Sequence, residues 1–293
     1  MRSAILALAL VATSTAQSVS VGQAEETPSS TTTDTPANRV TLARTQEFSL
    51  KSQANDREYR IRVTEPSTQP PAAGYPVIYL LDGNANFATM VEIARAQRIA
   101  GVVIVGIGYP SDAPFDARRT YDFTPPSKQG KLEALLGAAE EPTGGNDEFL
   151  DFIEKDLKPD IEKRFKINRH RQTLVGHSLG GLFVLHVLFT RDECFQNYVA
   201  GSPSIWWNDQ SILAEERGFI AKRGVKADLL VFVGALESGY MVHDAQRVTE
   251  RLAPLSAEGL RVYYTPFENE NHVSVLPAGL SRAYRFALDG SEN

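Results

Sequence analysis

Short runs of apolar residues alternate along this chain with longer stretches in which apolar positions recur at helical spacing. Runs of this length, bounded by glycine and polar residues, are typical of strands buried on both faces of a sheet. The predicted inner strands lie at 76–81, 101–107, 172–175, 195–200, 227–233 and 261–267.

Helices are predicted between these strands. Two segments near the start of the chain have a different hydrophobic pattern. Residues 40–50 and 58–63 alternate apolar and polar positions, which predicts antiparallel strands at one edge of the sheet. The order indicates an α/β fold with a mostly parallel central sheet flanked by helices on both faces, in which functional residues gather at the carboxyl ends of strands. The predicted helices lie at 87–99, 147–165, 182–190, 211–223, 242–253 and 277–288.

One long segment, 108–146, separates a predicted strand from the next helix. It carries Arg118 and Arg119. A connection of this length within a compact domain is usually either functional or disordered.

The strongest chemical signal is the glycine-rich sequence VGHSLGG at 175–181. An apolar run precedes Ser178 and an apolar helix follows it, so the G-x-S-x-G pattern predicts a nucleophile elbow, a strained strand-to-helix turn that exposes a serine. Gly176 and Gly180 lack a Cβ and so permit the close backbone approach of such a turn. The alternative is an ordinary serine in a glycine-rich loop, which leaves the flanking strand and helix without a reason.

A serine hydroxyl is a weak nucleophile until a neutral imidazole takes its proton. In α/β-hydrolases the chain order is serine, acid, histidine. His272 directly follows the last predicted strand, so it is the predicted base. Among the five histidines its one serious competitor is His243, near the start of a predicted helix.

The predicted acid is Glu237, which follows the strand predicted at 227–233. Its carboxylate would fix the tautomer of the imidazole and stabilise the imidazolium. Glu268 and Glu270 are nearby rivals, and a working Ser–His dyad without an acid stays open.

An oxyanion hole needs backbone N–H groups already aimed at the developing charge. One predicted donor is Leu179, directly after the nucleophile. The second is predicted in the turn after strand 76–81, at Gly83 and Asn84. The alternative for this turn is a plain connection without a catalytic role.

Composition excludes several other classes. The chain has 293 residues and a net charge of −6, which argues against a nucleic-acid-binding protein. The sequence shows neither a metal-ligand spacing nor a phosphate-binding glycine loop. We therefore expect acyl transfer to water with no cofactor and no metal.

The first residues read as a signal peptide rather than as part of the fold. A basic start precedes a short apolar run at 4–12, and small residues offer cleavage sites after Ala16 or Ala24. We expect a signal peptide at 1–24, a disordered segment rich in Thr, Ser and Pro at 25–38, and a catalytic domain at 39–293. Cys194 is the only cysteine, so no intramolecular disulfide can form and no lipid anchor is expected; this suits a bacterial periplasm.

Motifs spread over most of the predicted domain resemble one branch of a known family. The chain is similar to the esterase-D-like α/β-hydrolases and, among them, to the periplasmic trilactone hydrolases of catecholate siderophores. The resemblance implies hydrolysis of the serine ester bonds of enterobactin or a related trilactone, which weakens iron chelation, and in that group the acid varies. The motifs are LLDGNA at 80–85, RRTYDFTP at 118–125, GGNDEFLDFIEKDLKP at 144–159, VGHSLGGLFVLHVLF at 175–189, SPSIWW at 202–207 and NHVSV at 271–275.

A ferric catecholate siderophore is a trianion with flat aromatic faces. Arg118 and Arg119 could supply positive charge, and Trp206 and Trp207 could supply stacking surface. Neighbours on extended chain face opposite ways, which favours Arg119 and Trp207 over the other two as substrate-binding residues. The alternative is that the arginines are solvated or locally paired and that the tryptophans belong to the core.

Two other function classes remain open at this point. One is a general exported carboxylesterase that acts on acetyl, feruloyl or short acyl esters. The other is a non-catalytic siderophore-binding protein. The intact serine, histidine and glycine frame argues against the second, because a binding protein has no need of a strained serine.

Overall fold

The computed structural model describes residues 41–127, 142–222 and 224–289. The predicted signal peptide, the segment at 25–38 and the middle of the long insertion lie outside the described residues.

Eight strands form one sheet within these residues, in the order β1-β2-β4-β3-β5-β6-β7-β8. They are β1 Thr45–Lys51, β2 Glu58–Thr64, β3 Tyr75–Leu80, β4 Val103–Gly108, β5 Ile167–His177, β6 Asn197–Gly201, β7 Ala227–Gly234 and β8 Leu260–Phe267. β1 pairs antiparallel with β2 and β2 with β4, whereas all the other pairs are parallel. The predicted mostly parallel sheet with an antiparallel edge is confirmed.

Burial explains which strands the sequence predicts best. Every residue of β3 and β4 is buried, as expected of inner strands that helices cover on both faces. β5 is longer than the predicted 172–175, because its first half is polar and only partly buried. A polar half-strand of this kind gives no apolar signal.

Helices connect the strands and cover both faces of the sheet. They are α1 Gly83–Gln97, α2 Arg119–Phe123, α3 Asn146–Phe152, α4 Lys158–Arg164, α5 Leu179–Thr190, α6 Trp207–Gln210, α7 Ile212–Lys222, α8 Gly239–Leu252 and α9 Val275–Phe286. A π-helical turn, Ile153–Leu157, joins α3 to α4, so the helix predicted at 147–165 is one nearly continuous rod. α1 begins earlier than predicted because Asp82, with φ 51°, turns the chain directly from β3 into the helix.

The apolar core has two layers, one on each side of the sheet. On one side α1 and α9 pack against the sheet through side chains such as Phe87, Met90 and Tyr284. The other side holds the larger cluster, to which α3, α5 and α7 contribute, with Phe149 and Phe183 in contact. In the described part of the chain no helix combines the length and the apolar character needed to cross a bilayer.

The described part of the long insertion packs against the domain. Its helix α2 places Asp122 in the core, where the Tyr109 hydroxyl donates to it at 2.9 Å and Arg57 lies at 3.3 Å. Burial, the largest effect, raises the pKa of Asp122 to about 6, against the lowering effect of Arg57 and the tyrosines. The insertion is therefore tied to the sheet by a buried polar contact.

His186 on α5 joins three helices through charge. Its Nδ1 lies 2.9 Å from Glu215 of α7, and its Nε2 lies at ion-pair distance, 3.4 Å, from Asp147 of α3. Burial acts to lower the pKa of His186, but the two carboxylates outweigh it and raise the pKa to about 9.

The contacts of His186 with Glu215 and Asp147 should make the free energy of unfolding depend on pH. A histidine whose folded pKa is raised contributes stability that is present below the unfolded value of about 6.5 and is lost as the pH rises through about 9. We expect His186→Gln to lower the free energy of unfolding by about 3 kcal/mol at pH 6 and by little at pH 10. Urea unfolding at both pH values measures this, with His170→Gln on the exposed part of β5 as the control. A deficit of equal size at both pH values would contradict the charged pairing.

Candidate active site

Ser178 lies at a sharp turn between β5 and α5. Its backbone has φ 60° and ψ −119°, a strained conformation for a residue with a Cβ. A Cβ added to Gly176 would lie 2.3 Å from the Gly180 carbonyl oxygen, and one added to Gly181 would lie 2.6 Å from the Gly201 oxygen. Close backbone contacts therefore require glycine at 176, as predicted, and also at 181. The same requirement predicted for Gly180 is wrong, because a Cβ there would make only an ordinary contact, 3.5 Å from the Leu81 side chain.

The three predicted catalytic side chains meet at the carboxyl ends of β5, β7 and β8. His272 Nε2 lies 3.0 Å from Ser178 Oγ. On the other side of the ring, His272 Nδ1 lies 2.7 Å from Glu237 Oε2. This continuous chain of hydrogen bonds has the spacing of a serine, base and acid relay.

Glu237 is held as an anion by three donors. Its side chain is fully buried, and its Oε1 accepts from Ser202 Oγ at 2.5 Å and from the Gly234 N–H at 2.8 Å. Burial acts to raise the pKa of Glu237, but the hydrogen bonds from His272, Ser202 and Gly234 together lower it. The carboxylate can therefore fix the His272 ring with the proton on Nδ1.

Two serines of the turn after β6 belong to the site and were missed by the sequence argument. Ser202 supports the acid, and it does so from a backbone with φ 40°. Ser204 Oγ lies 3.4 Å from Ser178 Oγ, and the Ser204 N–H donates to the Ser178 carbonyl oxygen at 3.1 Å. The available signal was their position, directly after the strand that follows the elbow.

The rival residues do not reach the relay. His243 is 61% exposed and lies 3.8 Å from Asp244. Glu268 is exposed and Glu270 half-buried, while the carboxylate on His272 is that of Glu237.

His177, inside the elbow, is a buried neighbour of the base. Its ring centroid lies 4.6 Å from that of His272. Burial above all, together with the charges of His272 and Arg119, keeps the pKa of His177 well below its usual range. His177 therefore stays neutral, and it places no permanent positive charge beside the base.

The predicted oxyanion donors lie in the first turns of two helices. Leu179 is the first residue of α5, and Gly83 and Asn84 are the first two of α1. The first N–H groups of a helix have no carbonyl partner within it, and the helix dipole favours negative charge there. The Asn84 side chain serves another purpose, since its amide nitrogen donates to the carbonyl oxygens of Tyr109, Ser111 and Ala113.

Arg119, predicted to bind substrate, lies in a buried ion pair. Its Nε and Nη2 atoms donate to the two carboxylate oxygens of Asp82 at 2.7 and 2.8 Å, and its side chain is 12% exposed. Burial acts to lower the pKa of Arg119, and the Asp82 carboxylate more than offsets this and raises it. The structure thus gives this guanidinium a partner within the protein.

The preference for Arg119 and Trp207 rested on extended chain, and that premise is wrong. α2 begins at Arg119, and Trp207 begins the kinked turn α6, so side chains do not alternate. Trp207 is 2% exposed and belongs to the core, whereas Trp206 is partly exposed. Arg118 is the more exposed arginine, at 40%, and pairs with Asp116 at 2.8 Å.

The fold and this geometry define the class of protein. A strained serine with a histidine base, a buried acid and two helix N-termini can carry out acyl transfer. The Esterase family model matches residues 52–270, and the chain belongs to that family. The protein is a carboxylic ester hydrolase with the α/β-hydrolase fold.

Known relatives cover most of the chain. It is 45% identical to the ferri-bacillibactin esterase BesA of Bacillus subtilis, over 86% of this chain and 92% of the relative. It is 34% identical to the siderophore triacetylfusarinine C esterase of Aspergillus fumigatus, over 83% of this chain and 92% of the relative. Among solved structures, the BES protein from Bacillus cereus is 39% identical with a TM-score of 0.79, covering 86% of this chain and 98% of that one.

Proposed function

We propose that this esterase hydrolyses the ester bonds of a catecholate siderophore trilactone, such as enterobactin, through an acyl-enzyme on Ser178. The observation that carries the proposal is the unbroken hydrogen-bond relay from Glu237 through His272 to Ser178. The relatives named ferri-bacillibactin esterase and siderophore triacetylfusarinine C esterase support a siderophore ester as the class of substrate.

Acylation follows from the geometry of the relay. His272 Nε2 takes the proton of Ser178 Oγ while this oxygen attacks the ester carbonyl carbon. The carbonyl oxygen becomes an oxyanion, which the N–H groups of Leu179 and of the Gly83–Asn84 turn stabilise. Glu237 stabilises the imidazolium that forms.

The tetrahedral intermediate then collapses. The bond between the carbonyl carbon and the leaving oxygen breaks, and His272 returns its proton to that oxygen, which leaves as the serine alcohol of the siderophore. A water molecule gives its proton to His272, attacks the acyl carbon and releases the acid, and Ser178 regains its proton. In a cyclic trilactone the first such cycle opens the ring.

The exposed surface beside the relay suits a substrate with aromatic groups. Leu236 and Val273, the neighbours of Glu237 and His272, are each 65% exposed, and Tyr240 is 51% exposed. These exposed side chains are available for apolar contact with the aromatic groups of a substrate. Arg118 and Trp206 are the more accessible members of their pairs for contact with an anionic aromatic ligand.

A periplasmic location is part of the proposal. It rests on the signal-like sequence at 1–24 and on the single cysteine. Fractionation of cells that express the full chain, with mass measurement of the mature N-terminus, tests it. A full-length protein in the cytoplasm would contradict it.

Product analysis tests the proposed reaction. The protein is incubated with ferric and iron-free enterobactin and, in parallel, with a short p-nitrophenyl ester, and products are separated by mass. We expect linear trimer, dimer or monomer, formed far faster than the p-nitrophenyl ester is cleaved. Ser178→Ala is the control and should form none.

Two results would contradict the proposed substrate. Rapid cleavage of the p-nitrophenyl ester with enterobactin left intact would identify a general carboxylesterase. Tight binding of ferric enterobactin by the wild type, with neither ester cleaved, would identify a binding protein that keeps the fold.

A further inference from the structure

We propose that Arg119 is the positioning residue of the oxyanion hole. Its guanidinium holds both of the backbone segments whose N–H groups are the donors of that hole. The inference rests on the proposed function. It assigns to Arg119 a role in which the side chain does not touch the substrate.

The first segment is held through Asp82. Nε and Nη2 of Arg119 donate to the two carboxylate oxygens of Asp82 at 2.7 and 2.8 Å, and this bidentate geometry fixes direction as well as distance. Asp82 directly precedes the donors Gly83 and Asn84, and it is 2% exposed with φ 51°. A residue in that conformation needs outside contacts to hold it there.

The second segment is held through the elbow. Arg119 Nη2 also approaches the carbonyl oxygen of His177 at 3.4 Å. His177 precedes Ser178, whose successor Leu179 is the other donor. The Asp82 carboxylate itself lies against the elbow, because a Cβ added to Gly180 would be 3.6 Å from Asp82 Oδ2.

The ion pair also removes a charge that would oppose catalysis. An unpaired Asp82 carboxylate would lie one residue from the predicted donors and repel the developing oxyanion. A buried carboxylate is costly without a partner, and Arg119 supplies one. Position and charge are therefore set by the same contact.

Arg119 reaches the site from α2, in the long insertion, and Asp122 anchors the same short helix in the core. The insertion thus contributes to the catalytic machinery through its described part. Its contribution is the alignment of two helix N-termini that come from distant parts of the chain.

The test compares Arg119→Lys and Asp82→Asn with a matched control. Arg251 makes the same fork on Glu216, at 2.8 and 2.8 Å, with a carboxylate residue that is also 2% exposed, between α8 and α7. Arg251→Lys therefore breaks an ion pair of the same geometry away from the relay, although Arg251 is 38% exposed and Arg119 only 12%. Active protein is counted by end-point titration of Ser178 with a fluorophosphonate, and rates are referred to that count.

Two assays measure how well the oxyanion hole stabilises a tetrahedral species. The first assay gives kcat and KM for a short p-nitrophenyl ester, and the second gives the inhibition constant of phenylboronic acid, which forms a tetrahedral adduct on the serine. We expect Arg119→Lys to lower kcat about 10- to 100-fold, with KM within about twofold. The boronate should bind more weakly by a similar factor, and Arg251→Lys should match the wild type in both.

Asp82→Asn separates position from charge. It breaks the fork but leaves the Arg119 cation, so a purely electrostatic role would keep or raise kcat, whereas positioning predicts a loss like that of Arg119→Lys. The double variant should be no worse than either single one, because the pair acts as a unit. If Arg119→Lys does not fold, Asp82→Asn decides.

Two outcomes distinguish this inference from the proposed function. A wild type that cleaves esters, with Arg119→Lys and Asp82→Asn that keep kcat and boronate affinity but melt at lower temperature, would overturn the positioning role alone. A wild type that cleaves neither enterobactin nor the p-nitrophenyl ester would overturn the proposed function.

Discussion

Ser178→Ala is expected to lower kcat by about 10⁵-fold or more while leaving the protein folded. The substitution removes the atom that forms the proposed acyl-enzyme, and His272 Nε2, which lies 3.0 Å from that atom in the wild type, then has no hydroxyl to activate. The predicted oxyanion donors remain, so a small rate above that of the uncatalysed reaction in water should survive. Hydrolysis of a p-nitrophenyl ester measures the loss.

A fluorophosphonate and intact-protein mass give the decisive control. The wild type should gain one adduct, and the modified peptide should contain Ser178. Ser204 is the alternative nucleophile to be tested, since its Oγ lies 3.4 Å from Ser178 Oγ. An adduct of Ser178→Ala on Ser204, with activity kept, would reassign the nucleophile.

Glu237→Gln is expected to lower kcat by about 10³- to 10⁴-fold, through the tautomer of the base. Ser202 and the Gly234 N–H both donate to Oε1, so the amide oxygen of a glutamine is drawn to that side. Its NH₂ then faces His272 Nδ1 and donates to it. The ring proton moves to Nε2, where it blocks acceptance of the serine proton.

This variant also decides between a triad and a dyad. Glu270→Gln is the control, because Glu270 is a rival on sequence and is not hydrogen-bonded to His272 Nδ1. A pH profile of kcat, with unfolding curves for both variants, separates catalysis from stability. Activity of Glu237→Gln within about threefold of the wild type, with His272→Ala inactive, would establish a Ser–His dyad.

The fold and the relay could be predicted because their signals are local. A buried strand, a G-x-S-x-G turn and an apolar helix follow one another at Ser178, and chain order then selects Glu237 and His272. The ion pair of Arg119 with Asp82 could not be predicted in this way, because the two residues are 37 positions apart and nothing near either of them indicates the pairing. The contact between Ser202 and Glu237 could not be predicted for the same reason, since it forms only after β6 and β7 pair.

The exposure of the arginines and tryptophans was misjudged for another reason. The alternation rule holds for extended chain, and helical turns at Arg119 and Trp207 invalidate it. α2 is short and lies in a segment without clear periodicity. Only its packing, with Asp122 and Phe123 buried, makes it a helix.

The placement of His272 after β8 has a consequence for how the protein is made. Ser178 leaves the ribosome well before β8, which lies at one end of the sheet and pairs only with β7 in the described residues. A nascent chain that stops short of β8 therefore has the predicted nucleophile without its predicted base. We therefore expect esterase activity only once the chain has been synthesised past His272 and β8 has paired with β7, so that a nascent chain should be inactive toward esters.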